Sequence, residues 1–448
     1  MAGEEQAPDS AGRTRTGRCG CGRAGTRPAR RPAGGVNDCG WVRPMVSEVT
    51  DFYGRRYRVG ESDRELLGHS RNWVLAAACV AMLVAGAGQY GFGLIVGGEY
   101  WLLAIWVATQ AVAVFPLAWL RERLHVRPTL AMIAGAVLTA LGDLFAGAWT
   151  AVLGGLGAAI VYGACFGVVA KWFPERRTCL GLVSGAFAAG SVLFATPLPI
   201  IAVVVITACG FVLREPPPDW WPAKPDPRKW ALDKTLNLSL KHNRPAIRRY
   251  TPGQLLRCPT SAVMYVLVAC AAAAWLFDVA YMAAFVASSG WGYAFAAVAV
   301  CVLTLASGAA RWATGWAGER FGVGRVVRGA LALGALGQLL LIVAGQHQAA
   351  VLLVFAALVV GTTAGCCYAL LPALVEAHFG DQAGLLNFGL VYSAKAVGGI
   401  VGIGLTTAMV ATYGYAAGFL LAAGLGVLGA LAGGMLRQPG VPRLLVPA

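Results

Sequence analysis

Arg311 and Lys395 are the two cations placed inside otherwise apolar stretches of this 448-residue chain. A guanidinium offers a planar fork matched to a carboxylate, and an ammonium supplies a compact charge. A Lys or Arg inside a bilayer costs at least about 2.5–3.5 kcal/mol on insertion scales, so two of them require a compensating role. Arg311 precedes Arg320 by nine residues, roughly 13 Å of helix, and Lys395 lies about ten residues into a span starting near Leu385, roughly 15 Å. Both therefore reach the middle of a hydrocarbon layer about 30 Å thick. The chemistry this permits is anion binding: a substrate with two carboxylates bridges the pair, and a monocarboxylate engages one or both. Two other readings compete. The cations could line a water-filled cavity without touching substrate, or form buried ion pairs with Asp143 or Asp278. Those acids stand about 15 residues beyond Pro128 and about 19 beyond Pro259, toward the other ends of their spans and badly placed for midplane charges.

The elements that must position these residues are membrane helices. The chain is 58% hydrophobic and 13% charged, with mean hydropathy +0.64. Soluble domains carry about 25% charged residues. Apolar runs long enough to cross a bilayer recur from Trp73 almost to the C-terminus. Spans are expected at 72–96, 100–119, 128–147, 149–170, 178–195, 197–213, 260–288, 291–313, 324–345, 349–371, 384–410 and 414–436. Between Arg177 and Arg214 two short or tilted spans with a turn at Thr196-Pro197 fit the spacing better than one long helix. The expected fold class is an all-α membrane protein, with twelve helices in two six-helix bundles. Its parts are a basic N-terminal arm (1–71, disordered to about Asp38, with 49–72 packing on the cytoplasmic face), one bundle (72–213), a polar connector (214–259), the second bundle (260–436) and a tail (437–448). Met1 to Gly40 has no signal-peptide core, and Met45 is a second candidate start.

Of 36 Lys and Arg, 34 fall in the arm, the tail or the even-numbered loops, and the odd-numbered loops hold none. The positive-inside rule then puts both termini and the connector in the cytoplasm of a multi-pass protein of the cell (inner) membrane. The net charge of +15 is on this account a topology signal, with anionic lipid as a partner, and nucleic acid is excluded. Nine of the twelve cysteines accompany apolar segments as small hydrophobes, while Cys19-x-Cys21 with Cys39 lacks the spacing of a metal site. The five histidines (His69, His125, His242, His347 and His378) read as loop or arm residues. No HExxH, phosphate-binding Gly-rich loop or GxSxG motif appears. An enzyme, a metal centre and a cofactor are accordingly not expected.

The two halves carry a repeat. Ala118-x-x-x-Glu122-Arg123-Leu124 follows the second span, and Gly315-x-x-x-Glu319-Arg320-Phe321-Gly322 follows the eighth. A small residue lets helices approach, and the Glu-Arg pair can clamp helix ends as a conformational gate. The pattern resembles the loop signature of the major facilitator superfamily, with Ala118 for the usual Gly, Glu122 and Glu319 for Asp, and His125 for a later Gly. Further motifs occur in order: Lys171-Trp-Phe-Pro-Glu-Arg-Arg177, Glu215-Pro-Pro-Pro-Asp-Trp-Trp-Pro222, Leu371-Pro-Ala-Leu, His378-Phe-Gly380, and the run Asn387 to Gly399 through the eleventh span. Together they resemble the oxalate/formate antiporter family over about 73–436. One departure is a shorter segment between the fifth and sixth spans.

That resemblance implies a basic residue on the eighth helix and a Lys on the eleventh, which Arg311 and Lys395 match. It also implies a site lined by aromatics and a polar group from the first helix. Gln89-Tyr90, Tyr368 and Tyr392 stand at comparable places, with Tyr162 a looser match. The expected protein is a monomeric secondary carrier of small organic anions working by alternating access. Two unpaired cations resist closure away from water, which favours exchange; a proton accompanying a monocarboxylate gives symport instead. The rivals are a proton-driven exporter, which wants an acid in the first or fourth span, and a transporter-like sensor that binds an anion without moving it. The short 178–213 hairpin speaks for the sensor.

Overall fold

The computed structural model describes residues 47–91, 99–144, 147–176, 178–193, 199–381 and 383–440. The chain divides into two units, Met1–Arg43 and Pro44–Ala448. The first lies outside the described residues, as do Cys19, Cys21, Cys39 and Met45.

An antiparallel hairpin, β1 (Ser47–Thr50) and β2 (Arg56–Val59), precedes the apolar helices. It lies within the arm expected over 1–71, ahead of the all-helical part of the chain. Val49, Tyr57 and Val59 alternate with charged or polar neighbours at the period of a strand. The turn is organised by Asp51, whose carboxylate accepts the backbone N–H groups of Tyr53 and Arg55 at 2.9 Å each. Helix α1 (Asp63–Leu67) follows, started by a reciprocal Ser62–Glu65 capping box.

The apolar helices are α2 (Asn72–Tyr90), α3 (Tyr100–Leu124), α4 (Pro128–Leu144), α5 (Ala148–Trp172), α6 (Thr178–Leu193) and α7 (Pro199–Val212). The connector carries α8 (Pro227–Leu232), a 3₁₀ turn (Leu238–Lys241) and α9 (Pro252–Leu256). Then come α10 (Pro259–Val286), α11 (Gly292–Phe321), α12 (Val323–Gln346), α13 (Ala350–Phe379) and α17 (Tyr415–Met435). Between α13 and α17 one span is broken into α14 (Gly384–Tyr392), α15 (Ala394–Gly399), a π-helical stretch (Ile400–Leu405) and α16 (Thr406–Tyr413). Among the described residues, eight helical stretches are long and apolar enough to cross a membrane. One of these is α10 and α11 run together through a tight turn, with φ of +91° at Gly290 and +77° at Gly292. Among the described residues the interval between Arg177 and Arg214 holds the 16-residue α6 and the 14-residue α7, which with α4 are the shorter apolar helices; the turn expected at Thr196-Pro197 lies outside the described residues.

Several helices outlast their expected ends. The chain stays helical until His125, Gly322 and Gly380, whose φ values of +51°, +92° and +81° leave the helical region. Pro372 sits inside α13 without ending it. Glu122, Arg123, Gly315, Glu319, Arg320, Glu376 and His378 therefore occupy the last turns of helices, where loops were expected.

The repeat extends further than its quoted letters. Arg123 lies over the ring of Trp119 at 5.0 Å, and Arg320 over the ring of Trp316 at 5.5 Å, each one turn back along its helix. Glu215 joins the ends of α3 and α5 by pairing with both Arg121 and Lys171. Asn243 pins the connector to the junction of α11 and α12: its Nδ2 donates to the Gly318 carbonyl at 3.0 Å, and its Oδ1 accepts from the Val323 N–H at 2.8 Å. Asp381, between the tenth and eleventh expected spans, pairs with Arg55 of the hairpin turn at 3.0 Å and Arg249 of the connector at 3.7 Å.

Helices α6 and α11 meet at backbone range. A Cβ on Gly181 would lie 2.3 Å from the Arg311 carbonyl oxygen, and one on Gly185 would lie 2.6 Å from that of Gly308. Only glycine allows this approach.

Candidate functional site

Arg311 on α11 is 2% exposed and Lys395 on α15 is 1% exposed, so both charges are sealed from bulk water. Each is solvated by the protein itself. Arg311 donates from Nη1 to the carbonyl oxygen of Ser184 at 2.8 Å and to its hydroxyl at 3.0 Å, and from Nη2 to the hydroxyl of Tyr90 at 3.3 Å. Lys395 Nζ donates to Gln110 Oε1 at 2.8 Å and to the Tyr392 hydroxyl at 3.1 Å. The ring of Tyr368 serves both, 5.0 Å from Arg311 Cζ and 6.0 Å from Lys395 Nζ. The sum of those distances, 11.0 Å, is the upper limit on the separation of the two charges. The two cations belong to one buried polar cluster, here called the chamber.

Local structure explains the placement. The Gly181 and Gly185 contacts bring α6 against α11, which lets the intervening Ser184 present backbone and side-chain oxygens to Arg311. Lys395 follows a break at Ser393, whose hydroxyl turns back onto the Leu390 carbonyl at 2.7 Å. The π-helical stretch beyond it lies where Gly402 presses on the Ala273 carbonyl of α10.

Aromatic rings wall the chamber. Tyr162 and Phe166 of α5 stack with Tyr392 and Phe388 of α14: centroids are 5.5 Å apart for Tyr162–Tyr392 and 5.1 Å for Phe166–Phe388. Tyr90 packs edge-on to Phe187 at 5.6 Å. Below the stack a cavity of about 1840 Å³ opens among α3, α4, α5, α13 and α14. Phe166 and Phe388 line it, as do Arg121, Glu122, Lys171 and Glu376 nearer the charged face. On the opposite face Tyr100 of α3 meets Tyr281 of α10 at 4.4 Å, and Tyr281 hydrogen-bonds Thr407 of α16. The chamber is thus closed from the cavity by stacked rings and from the far face by tyrosines.

The residues singled out from the sequence divide cleanly. Arg311, Lys395, Tyr90, Tyr368, Tyr392 and Tyr162 converge on this chamber. Gln89 is fully buried beside Tyr90, with neither side-chain polar atom partnered among the described residues. Glu122, Arg123, Glu319 and Arg320 lie in the last turns of α3 and α11, and Gly315 stands one turn from Arg311. Gly315 packs there on Thr178, at the start of α6. Ser184 and Gln110 were not expected. Gln89 was reached through the family resemblance alone; Gln110 is likewise a glutamine inside an apolar span, whereas Ser184 is marked only by its neighbour Gly185.

The cations are not unpartnered, as the sequence suggested, yet every described partner is neutral. Asp278 instead accepts from Gln338 Nε2 at 2.7 Å, and Asp143 lies against Gly88. Buried hydrogen-bonding capacity remains at Arg311 Nε, Gln110 Nε2 and the Tyr368 hydroxyl, which have no partner among the described residues. Each is able to donate, and a carboxylate only accepts. Among the described residues no group of three His, Cys, Asp or Glu forms a metal site.

No family model matches the chain. It is 25% identical over 327 residues to the oxalate:formate antiporter of Oxalobacter formigenes, a match covering 66% of this chain and 72% of that protein. Its fold is similar to the human organic anion transporter MFSD10 (TETRAN), with TM-score 0.57 and 14% identity, over 81% of this chain and 99% of that one. It is also similar to FucP, a major facilitator superfamily transporter in the outward conformation, with TM-score 0.54 and 14% identity, over 81% and 98% of the two chains. The resemblance to major facilitator superfamily transporters, and among them to an oxalate:formate antiporter, is shown by these likenesses. The chain is a multi-pass membrane protein with a transporter fold, and the proteins it resembles are transporters rather than enzymes.

Proposed function

We propose that this protein is a secondary carrier of small organic anions, mono- or dicarboxylates of the oxalate and formate type. On this reading twelve spans form two six-helix halves, both termini lie in the cytoplasm of a cell-membrane protein, and the carrier works as a monomer among anionic lipids. Arg311 and Lys395 hold the carboxylate, with Tyr90, Tyr162, Tyr368, Tyr392 and Gln89 around it. The observation that carries the proposal is the pair of sealed cations with neutral partners and spare buried donors. A bound carboxylate supplies the missing negative charge and takes those donors. The named activities of the Oxalobacter formigenes antiporter and of human MFSD10 agree in charge type.

The cycle follows from the two closures. The anion enters by the 1840 Å³ cavity, passes the Phe166–Phe388 rings and displaces neutral oxygens from the cations. Rocking of the halves then parts the Tyr100–Tyr281 contact and opens the far face. The signature residues Glu122, Arg123, Gly315, Glu319 and Arg320 act at the charged ends as the gate. Exchange of one anion for another is the basic turnover, with proton symport open to monocarboxylates.

Reconstitution in liposomes tests this. Labelled oxalate or formate is expected to exchange against internal anion, and Arg311→Gln and Lys395→Gln are each expected to abolish exchange while the protein still inserts. Normal transport by either variant overturns the site. Binding without flux favours the sensor instead.

A further inference from the structure

The two cations belong to one half of the molecule and most of their acceptors to the other. Arg311 on α11 uses Ser184 on α6 and Tyr90 on α2, and Lys395 on α15 uses Gln110 on α3; only Tyr392 comes from the same side. These contacts form while the chamber is closed toward both faces. The protein's own oxygens therefore take hydrogen bonds from both charges across the plane where the halves meet, leaving Arg311 Nε spare.

Resting on the carrier reading above, we infer that Ser184 and Gln110 are positioning residues that stand in for the carboxylate, so that the anion-free carrier reorients and the protein catalyses net anion movement as well as exchange. Ions strengthen the hydrogen bonds they make, so neutral acceptors offset much of the cost of sealing a charge away from water. Rocking halves move least near the level of the binding site, so contacts there survive reorientation best. Gln110 suits both states. Lys395 can only donate, which fixes Oε1 as the atom facing it, and Nε2 is buried without a partner among the described residues. A half-turn of the amide converts an acceptor for Lys395 into a donor for an arriving carboxylate. Ser184 contributes its backbone oxygen, which no side-chain replacement removes.

The test uses full-length protein in liposomes loaded with labelled oxalate or, separately, labelled formate, with membrane potential clamped by potassium and an ionophore. Efflux into anion-free buffer is compared with efflux into buffer containing the same anion. Net efflux of many anions per carrier, within about tenfold of the exchange rate, is expected. Gln110→Leu is expected to lower the ratio of net efflux to exchange by tenfold or more. Gln110→Glu supplies Lys395 with a permanent carboxylate and is expected to raise that ratio while weakening anion affinity. Opposite shifts in the two variants separate the role from misfolding. Exchange without net efflux overturns this inference and leaves the carrier reading intact. An unchanged ratio in both variants overturns the role of Gln110. Absence of both fluxes for both anions overturns the carrier reading and this inference with it.

Discussion

Tyr368 lies against the guanidinium of Arg311, 5.0 Å from Cζ to ring centre, and the ammonium of Lys395 reaches the same ring at 6.0 Å. One aromatic face thus supports two like charges. Cation–π contacts of this kind contribute about 0.5–2 kcal/mol each. Tyr368→Leu removes both, about 1–4 kcal/mol together, and is expected to reduce anion exchange by roughly 5-fold to several hundredfold on that scale. Tyr368→Phe keeps the face but removes the hydroxyl offered to the carboxylate, and is expected to lose about 2- to 10-fold, a neutral hydrogen bond's worth and less than the loss in Tyr368→Leu. Initial rates in liposomes distinguish them, and equal losses would move the role to the hydroxyl.

Gly185 tests the contact that carries Ser184. Its added Cβ meets the Gly308 carbonyl oxygen at 2.6 Å, so Gly185→Ala must push α6 from α11. Overpacking of this sort costs about 1–3 kcal/mol. A lower Tm and slower anion exchange are expected together. Gly329→Ala on α12, where a Cβ meets nothing within 4 Å, is expected to leave Tm unchanged or slightly raised.

Asp278 and Gln338 hold each other deep between α10 and α12. Gln338→Leu strands a buried carboxyl, at a cost of about 1–3 kcal/mol, and is expected to lower Tm by several degrees. Combining it with Asp278→Leu removes both polar groups and is expected to recover most of the loss. Thermal unfolding of purified protein in detergent reads the difference, and a double variant worse than the single one contradicts the account.

Asp381 ties the hairpin to the connector through Arg55 and Arg249. These are partly exposed pairs, each about 0–1 kcal/mol and screened by salt. Asp381→Asn is expected to speed hydrogen exchange across 47–59, an effect that about 0.5 M salt reproduces in the wild type. Burial pushes Tyr57, which donates to Asp51, up to about 12 from 10.0. A raised value favours the protonated phenol in the folded state. This contribution is therefore whole below pH 10 and lost as pH rises through about 12. Hairpin exchange, corrected for intrinsic chemistry, should show no step between pH 6 and 9.

What the sequence disclosed depended on contrast. Arg311 and Lys395 were visible because charge is rare in apolar spans, and their depth followed from helical rise alone. Gln110 obeys the same contrast more faintly. Ser184 was hidden because it acts partly through its carbonyl, which every residue possesses. The Trp119–Arg123 and Trp316–Arg320 stacks are legible within the repeat, since a Trp directly follows the small residue in both copies. Helix ends at Glu122 and Glu376 were misplaced because charge reports where water begins, whereas helices persist into water until a residue such as Gly380 turns the chain. The hairpin at Asp51 depends on a local turn and on Asp381, which lies more than three hundred residues away.

The glycine junction of α6 with α11 has a mechanical consequence. Side chains that interdigitate lock helices into registers, since ridges must climb out of grooves before they shift. Carbonyl oxygens lying on bare Cα atoms present no such ridges. For halves that rock as proposed, this junction is a smooth bearing, and packing sets no detents along the stroke. The pace of turnover is then governed by the polar latches at Gln110 and Ser184 and by the rings at either end. Evolution could retune speed by editing those few groups while the bearing stays as it is.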